Sequence, residues 1–176
     1  MKQDMIIAIS GKSGCGNSTV SRLVADRLDL KLINYTFHTM AEEENIPFKK
    51  LCEMAEEDPK WDLKLDRKQV ELAKEGHCVL GSRLAIWLCK DADLTVYLEA
   101  SLEERARRIQ KREGGRYEEV LEETAERDRR DHQRYMKLYN LDNNNFDFVD
   151  LIIKTDDMKP EEIAERIEEE ARRIPS

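Results

Sequence analysis

Apolar positions along this chain follow two rhythms. Residues 5–10, Met-Ile-Ile-Ala-Ile-Ser, form a continuous apolar run of strand length, the pattern of a strand buried on both faces. A glycine-rich turn follows, and Val20, Leu23, Val24, Arg27 and Leu28 then recur at helical spacing. Further short apolar runs at 30–33, 77–81, 94–98 and 151–153 predict four more strands. Residues 35–76 read as helical and polar, broken at Pro47 and Pro59. The clearest helix there spans 66–76, with Val70, Leu72 and Ala73 apolar and Gly76 ending it. From 101 to 139 the chain is helical again. Ser101 opens it with Glu104 three residues on, the signature of a capping box, and Gly114-Gly115 splits it in two. Residues 160–174 close as a helix with Ile163, Ala164 and Ile167 inward.

Short apolar strands alternating with helices predict an α/β domain: three layers, helix–sheet–helix, around a five-stranded, mostly parallel sheet. No repeat, linker or low-complexity tract divides the 176 residues, so one domain is expected. An apolar content of 40% is enough for one core, and the net charge of −8 argues against a general nucleic-acid binder while leaving room for a local basic pocket. No apolar run approaches the ~18–20 residues of a membrane span, and the beginning of the chain lacks an apolar signal core. A cytoplasmic protein with no membrane partner is expected. Cys15, Cys52, Cys78 and Cys89 are scattered without a C-x-x-C pair, as free thiols in a reducing compartment would be.

Candidate chemistry begins at the first strand-to-helix turn, Gly11-Lys12-Ser13-Gly14-Cys15-Gly16-Asn17-Ser18-Thr19. It fits the phosphate-binding pattern G-x-x-x-x-G-K-[ST] at every position but one, where Asn17 replaces lysine. The glycines let backbone N–H groups wrap a phosphate, the helix adds its positive dipole end, and Ser18 supplies a hydroxyl for Mg²⁺. Losing a charged donor to a transition state costs about 10²–10³ in rate. Either the protein is slow or inactive, or another cation has taken over. Lys12 is the nearest substitute; its plain alternative is a solvated loop residue. A loop lysine at this second position also occurs in MinD-like ATPases, which the stretch resembles locally, although those keep the other lysine as well.

Between 105 and 134 the chain carries nine arginines, including Arg108, Arg112, Arg116, Arg127 and Arg134. Interleaved acids allow a solvated helical surface laced with i,i+4 pairs. Arginine over lysine, around a Gly-Gly break, instead suits bidentate grips on phosphate by a segment that closes over a nucleotide.

At this point the chain resembles a known family. The segments IAISGKSGCGNST, DRKQVELAKEGHCVLGSRLAIWL, LEERARRIQKREG and ERDRRDHQRY followed by YNLD are, in this order and spacing, similar to nucleoside monophosphate kinases, most closely archaeal-type cytidylate kinases. The resemblance implies a P-loop kinase core, a helical monophosphate-binding insertion at 35–76 and a mobile arginine-rich lid at about 108–130. It implies transfer of the ATP γ-phosphate, with Mg²⁺, to a monophosphate such as CMP or dCMP. Residue by residue, Arg83 looks like the family arginine at the monophosphate site. Arg127, Asp131 and Arg134 look like its arginine–aspartate–arginine set, with Asp131 accepting from a ribose hydroxyl. Arg108 and Arg112 stand where relatives place adenine-stacking and phosphate-binding arginines, and Arg116 falls in the lid. By the same alignment His38 stands where an arginine usually meets the acceptor phosphate, a weaker, pH-dependent anchor. Lys12, Arg112 and Arg127 are the expected catalytic cations. ATP and a monophosphate are the expected small-molecule partners, with a monomer slightly favoured. Two rivals stay open: a kinase for another small acceptor, and a nucleotide-sensing module that kept the fold and lost turnover.

Overall fold

The computed structural model describes residues 1–176, with β1 (Ile6–Gly11) at the centre of a five-stranded sheet. The other strands are β2 (Lys31–Leu32), β3 (Cys78–Gly81), β4 (Leu94–Glu99) and β5 (Leu151–Lys154), in the order β2-β3-β1-β4-β5. Every pairing is parallel, so the sheet is wholly rather than mostly parallel. All six β1 residues are buried, which explains its unbroken apolar run. Ile7 and Ile9 point to one face and join α1 (Asn17–Leu28) and α8 (Pro160–Arg172) in the larger core, while Ile6 and Ala8 point to the other.

The second face is covered by α5 (Ala85–Leu88) and by part of α7 (Tyr117–Tyr139), through Ile86, Trp87 and Tyr135. The α5 helix has no counterpart in the sequence reading, because one turn is too short to show a period. Between β2 and β3 lie α2 (Phe37–Glu44), α3 (Phe48–Glu57) and α4 (Lys60–Ala73), packed on a small core of their own: Tyr35, Met40, Ala41, Leu51 and Trp61. Pro47 and Pro59 directly precede α3 and α4, so the two expected breaks are helix starts. The 66–76 helix is longer at its beginning and shorter at its end, since residues 74–77 turn and Gly76 has φ 81°.

The long helical stretch is α6 (Leu102–Glu113) and α7, divided where Gly114 and Gly115 have φ 82° and 97°. Ser101 caps α6 as expected, its hydroxyl accepting from the Glu104 N–H at 3.2 Å. The reciprocal half of the box is not made. The Ser101 N–H donates to Asp156 instead, and the Glu104 carboxylate pairs with Arg107 and Arg108. All four cysteines are free, and no helix is long and apolar enough to cross a membrane.

Candidate active site

Open parallel sheets bind ligands beyond the carboxyl ends of their strands, where the chain switches direction along the sheet. Here β3 and β4 lie on opposite sides of β1, and the loop after β1 occupies that position. Gly14 and Gly16 in this loop have φ 82° and 89°, conformations that a side chain would strain. Gly16 precedes α1 with no side-chain cap, so the first-turn N–H groups of α1 are left for a ligand.

The loop is held from behind by α6. The Arg105 guanidinium donates to the Ser13 carbonyl at 3.3 Å, and Arg108 donates to the Cys15 carbonyl at 3.2 Å. Because C=O and N–H of one peptide point opposite ways, the N–H groups of Gly14 and Gly16 turn away from these arginines, toward the open side of the loop. Arg105 is only 4% exposed and also grips Asp128 of α7 through two bonds of 3.0 and 2.8 Å. One buried residue thus ties the loop, α6 and α7 together. Arg105→Ala should destabilise the protein by about 3 kcal/mol, since Asp128 and the Ser13 carbonyl lose their partner inside the fold. Chemical denaturation checks this.

Asn17 does not offer its side chain as a free donor. Its Nδ2 donates to the Ile9 carbonyl at 2.9 Å and its Oδ1 accepts from Ser21 at 2.7 Å, bracing the end of β1 against α1. Lys12 lines the same cavity as the rest of the loop. Asp128 and Asp131 nearby are paired with Arg105 and Arg83, so the Lys12 ammonium has no carboxylate partner.

Two cavities meet in front of this loop. The first, about 400 Å³, is lined by residues 11–19 together with Ser82, Arg83, Arg112 and Arg127. The second, about 290 Å³, lies between α4 and α7. Ser82, Arg83 and Arg127 line both, and so form the wall where the cavities join. Arg83 and Arg134 are held by one buried carboxylate, Asp131, at 3.3 and 3.4 Å. Arg127 has no such partner. Its surface is open to the cavities, yet the surrounding protein lowers its pKa by desolvation, and the Arg83 charge pushes the same way. Two guanidinium groups, one of them without a carboxylate partner, thus stand side by side at the wall.

The model of the cytidylate kinase-like family matches residues 6–157. The chain belongs to that family. It is 47% identical over 170 residues to "Cytidylate kinase 2" of Borreliella burgdorferi, covering 94% of each chain. It is 39% identical over 162 residues to the cytidylate kinase of Pyrococcus horikoshii, covering 91% of this chain and 84% of that one. Among solved structures, shikimate kinase from Bacteroides thetaiotaomicron superposes with a TM-score of 0.65 at 16% identity, covering 96% of this chain and 98% of that one. That likeness shows the shared P-loop kinase fold.

Family membership makes the placement of each expected site residue informative. The whole loop from Gly11 to Thr19 lines the first cavity, as does Arg112, which is well exposed and paired with Glu113. Arg134 lines the second. Three residues are placed otherwise. Arg108 lies behind the loop, its edges committed to the Cys15 carbonyl, the Thr155 carbonyl at 2.8 Å and Glu104, which leaves only its flat face to stack. Asp131 does not line the second cavity; its carboxylate is engaged by Arg83 and Arg134. His38 is exposed and stacks on Phe48 at 3.5 Å, and its neighbour Phe37 faces the cavity instead.

The sequence reading missed the α4 side of the second cavity: Asp62, Asp66 and Gln69, with Tyr139 opposite. The signal was present, since 62, 66 and 69 fall on one helical face, but in a polar insertion they read as solvated. The Tyr139 hydroxyl donates to Asp66 at 2.5 Å. Burial raises the carboxyl groups of both aspartates, that of Asp66 to about 6, with the charge of Asp62 adding to the effect on Asp66. Because this carboxyl holds its proton more tightly folded than unfolded, its contribution to stability is full below about pH 4 and is lost as pH rises through 6. Asp66→Asn should therefore stabilise the protein by about 1–2 kcal/mol at pH 7.5 and by nothing at pH 4. Urea midpoints at the two pH values measure it.

Proposed function

We propose that the protein transfers the γ-phosphate of ATP to CMP or dCMP, giving ADP and CDP or dCDP. The observation that carries this reading is the shared wall: a phosphate-loop cavity and a second cavity open onto the same two arginines, Arg83 and Arg127. A donor phosphate in the loop and an acceptor phosphate at the wall would meet there. The names of the relatives supply the acceptor's identity.

The acceptor is already an ionised phosphate, so the reaction needs no general base. Positioning and electrostatics carry it. Lys12 supplies the cation that Asn17 does not. Arg127 and Arg83 hold the phosphates at the junction, and Arg134 holds the acceptor. The Gly114-Gly115 break lets Arg112 and Arg116 close over the donor as a lid, and the face of Arg108 remains for the adenine. Mg²⁺ fits a loop of this kind. No cluster of three acidic, His or Cys side chains exists to hold a metal alone. The exposed Ser18 hydroxyl at the first turn of α1 would be one oxygen ligand, and the nucleotide's phosphates and water would supply the rest.

One observation favours the second reading, a nucleotide-sensing module: the amide of Asn17 is fully committed within the fold. ADP release measured with CMP, dCMP, UMP and AMP separates the two. Acceptor-dependent release with CMP or dCMP is expected. Tight ATP binding with no release for any acceptor would favour the sensor.

A further inference from the structure

The second cavity has a polar stretch of lining that neither the phosphate wall nor Asp131 accounts for. Asp66 and Gln69 project from one face of α4 into it. Gln69 Nε2 donates to the Tyr35 carbonyl at 2.8 Å. That bond fixes the amide's orientation, because a flipped amide would set its oxygen against another carbonyl oxygen. The Gln69 oxygen is therefore left as an acceptor. In Asp66, one carboxylate oxygen takes the Tyr139 hydroxyl and the other is free. Both groups thus have a spare acceptor in the lining of the cavity, on α4, whereas Ser82 and Arg83 follow β3 and Arg127 belongs to α7. Phe37, Leu65, Leu84 and Leu138 supply apolar wall for a flat ring.

We infer that Asp66 and Gln69 form a base-reading edge that selects an amino-bearing pyrimidine over its keto counterpart. The inference rests on the reading of this cavity as the monophosphate site. An exocyclic amino group is a donor, and a carboxylate is its natural acceptor. The remaining N–H of Gln69 suits the ring nitrogen beside that amino group, which accepts. A keto pyrimidine reverses both polarities. Its carbonyl oxygen would face acceptors and its ring N–H would face a donor. Asp66 and Gln69 thus discriminate by refusal as much as by attraction.

Steady-state kinetics with CMP and UMP as alternative acceptors test this on the full-length protein. The wild type should favour CMP over UMP in kcat/KM by ~100-fold or more. Asp66→Asn, whose amide can donate to a keto oxygen, and Gln69→Met should each reduce that ratio at least ~10-fold, through the acceptor KM and with the KM for ATP unchanged. Gln69→Met tests the same edge independently of the Asp66 charge. A wild type that phosphorylates CMP, with both variants holding the CMP-to-UMP ratio within about twofold, would overturn the base-reading edge and leave the kinase reading intact. A wild type that phosphorylates neither pyrimidine would overturn the kinase reading, and this inference with it.

Discussion

Replacing Lys12 with alanine is expected to lower kcat by about 10²-fold or more, the scale of removing one preorganised cation from a phosphoryl-transfer transition state. Negative charge develops at the bridge between the β- and γ-phosphates, and some cation must stand there. Asn17 is not that group, because its amide is spent on Ile9 and Ser21. Lys12 lines the same cavity, in the same loop, with an ammonium that no carboxylate neutralises. The reverse substitution supplies the control. Asn17→Lys removes the acceptor of the Ser21 hydroxyl and crowds a second ammonium into a loop already served by Lys12, so activity should rise little or fall. No loss from Lys12→Ala together with a large gain from Asn17→Lys would mean a decayed kinase, and would favour the sensing module.

Arg127→Ala should cost about 10²–10³ in kcat/KM for both substrates, because Arg127 faces both cavities where they join. Stability should be unchanged, since Arg127 has no ion-pair partner to strand and its desolvation is relieved by its removal. Arg134→Ala is the contrast. It faces only the second cavity, so its loss should raise the acceptor KM by roughly 10–100-fold and leave that for ATP alone. Equal effects of the two variants on ATP would contradict the division of the site into a donor and an acceptor half.

The legible parts of this protein were those set by local chemistry. The apolar run of β1, the glycine turn and the 3.6-residue pattern of α1 need no tertiary information, and all three stand where the sequence places them. Pro47 and Pro59 were legible as breaks for the same reason, and the structure makes each the residue before a helix. What escaped was set by packing across the fold. Arg105 looked like one more surface arginine, yet it is buried between the loop and Asp128, residues 92 and 23 positions away. Asp131, expected in the ribose site, is engaged by Arg83 and Arg134, whose two guanidinium groups converge on it. Asp66 and Gln69 were polar positions in a polar helix until α7 closed the cavity over them. Charge and helical spacing alone do not say which side of such a helix faces protein.

In the proposed function two nucleotides occupy adjoining cavities, with their phosphates meeting at Arg83 and Arg127. A bisubstrate analogue joining adenosine to cytidine through a polyphosphate bridge tests it most directly, by titration calorimetry in the presence of Mg²⁺. Occupying both halves with one tethered molecule should give a Kd ~100-fold or more below that of ATP or CMP alone, and Arg127→Ala should erase most of that gain. An analogue that binds no tighter than ATP would contradict the account, because the cavities would then not be open to each other at the phosphates.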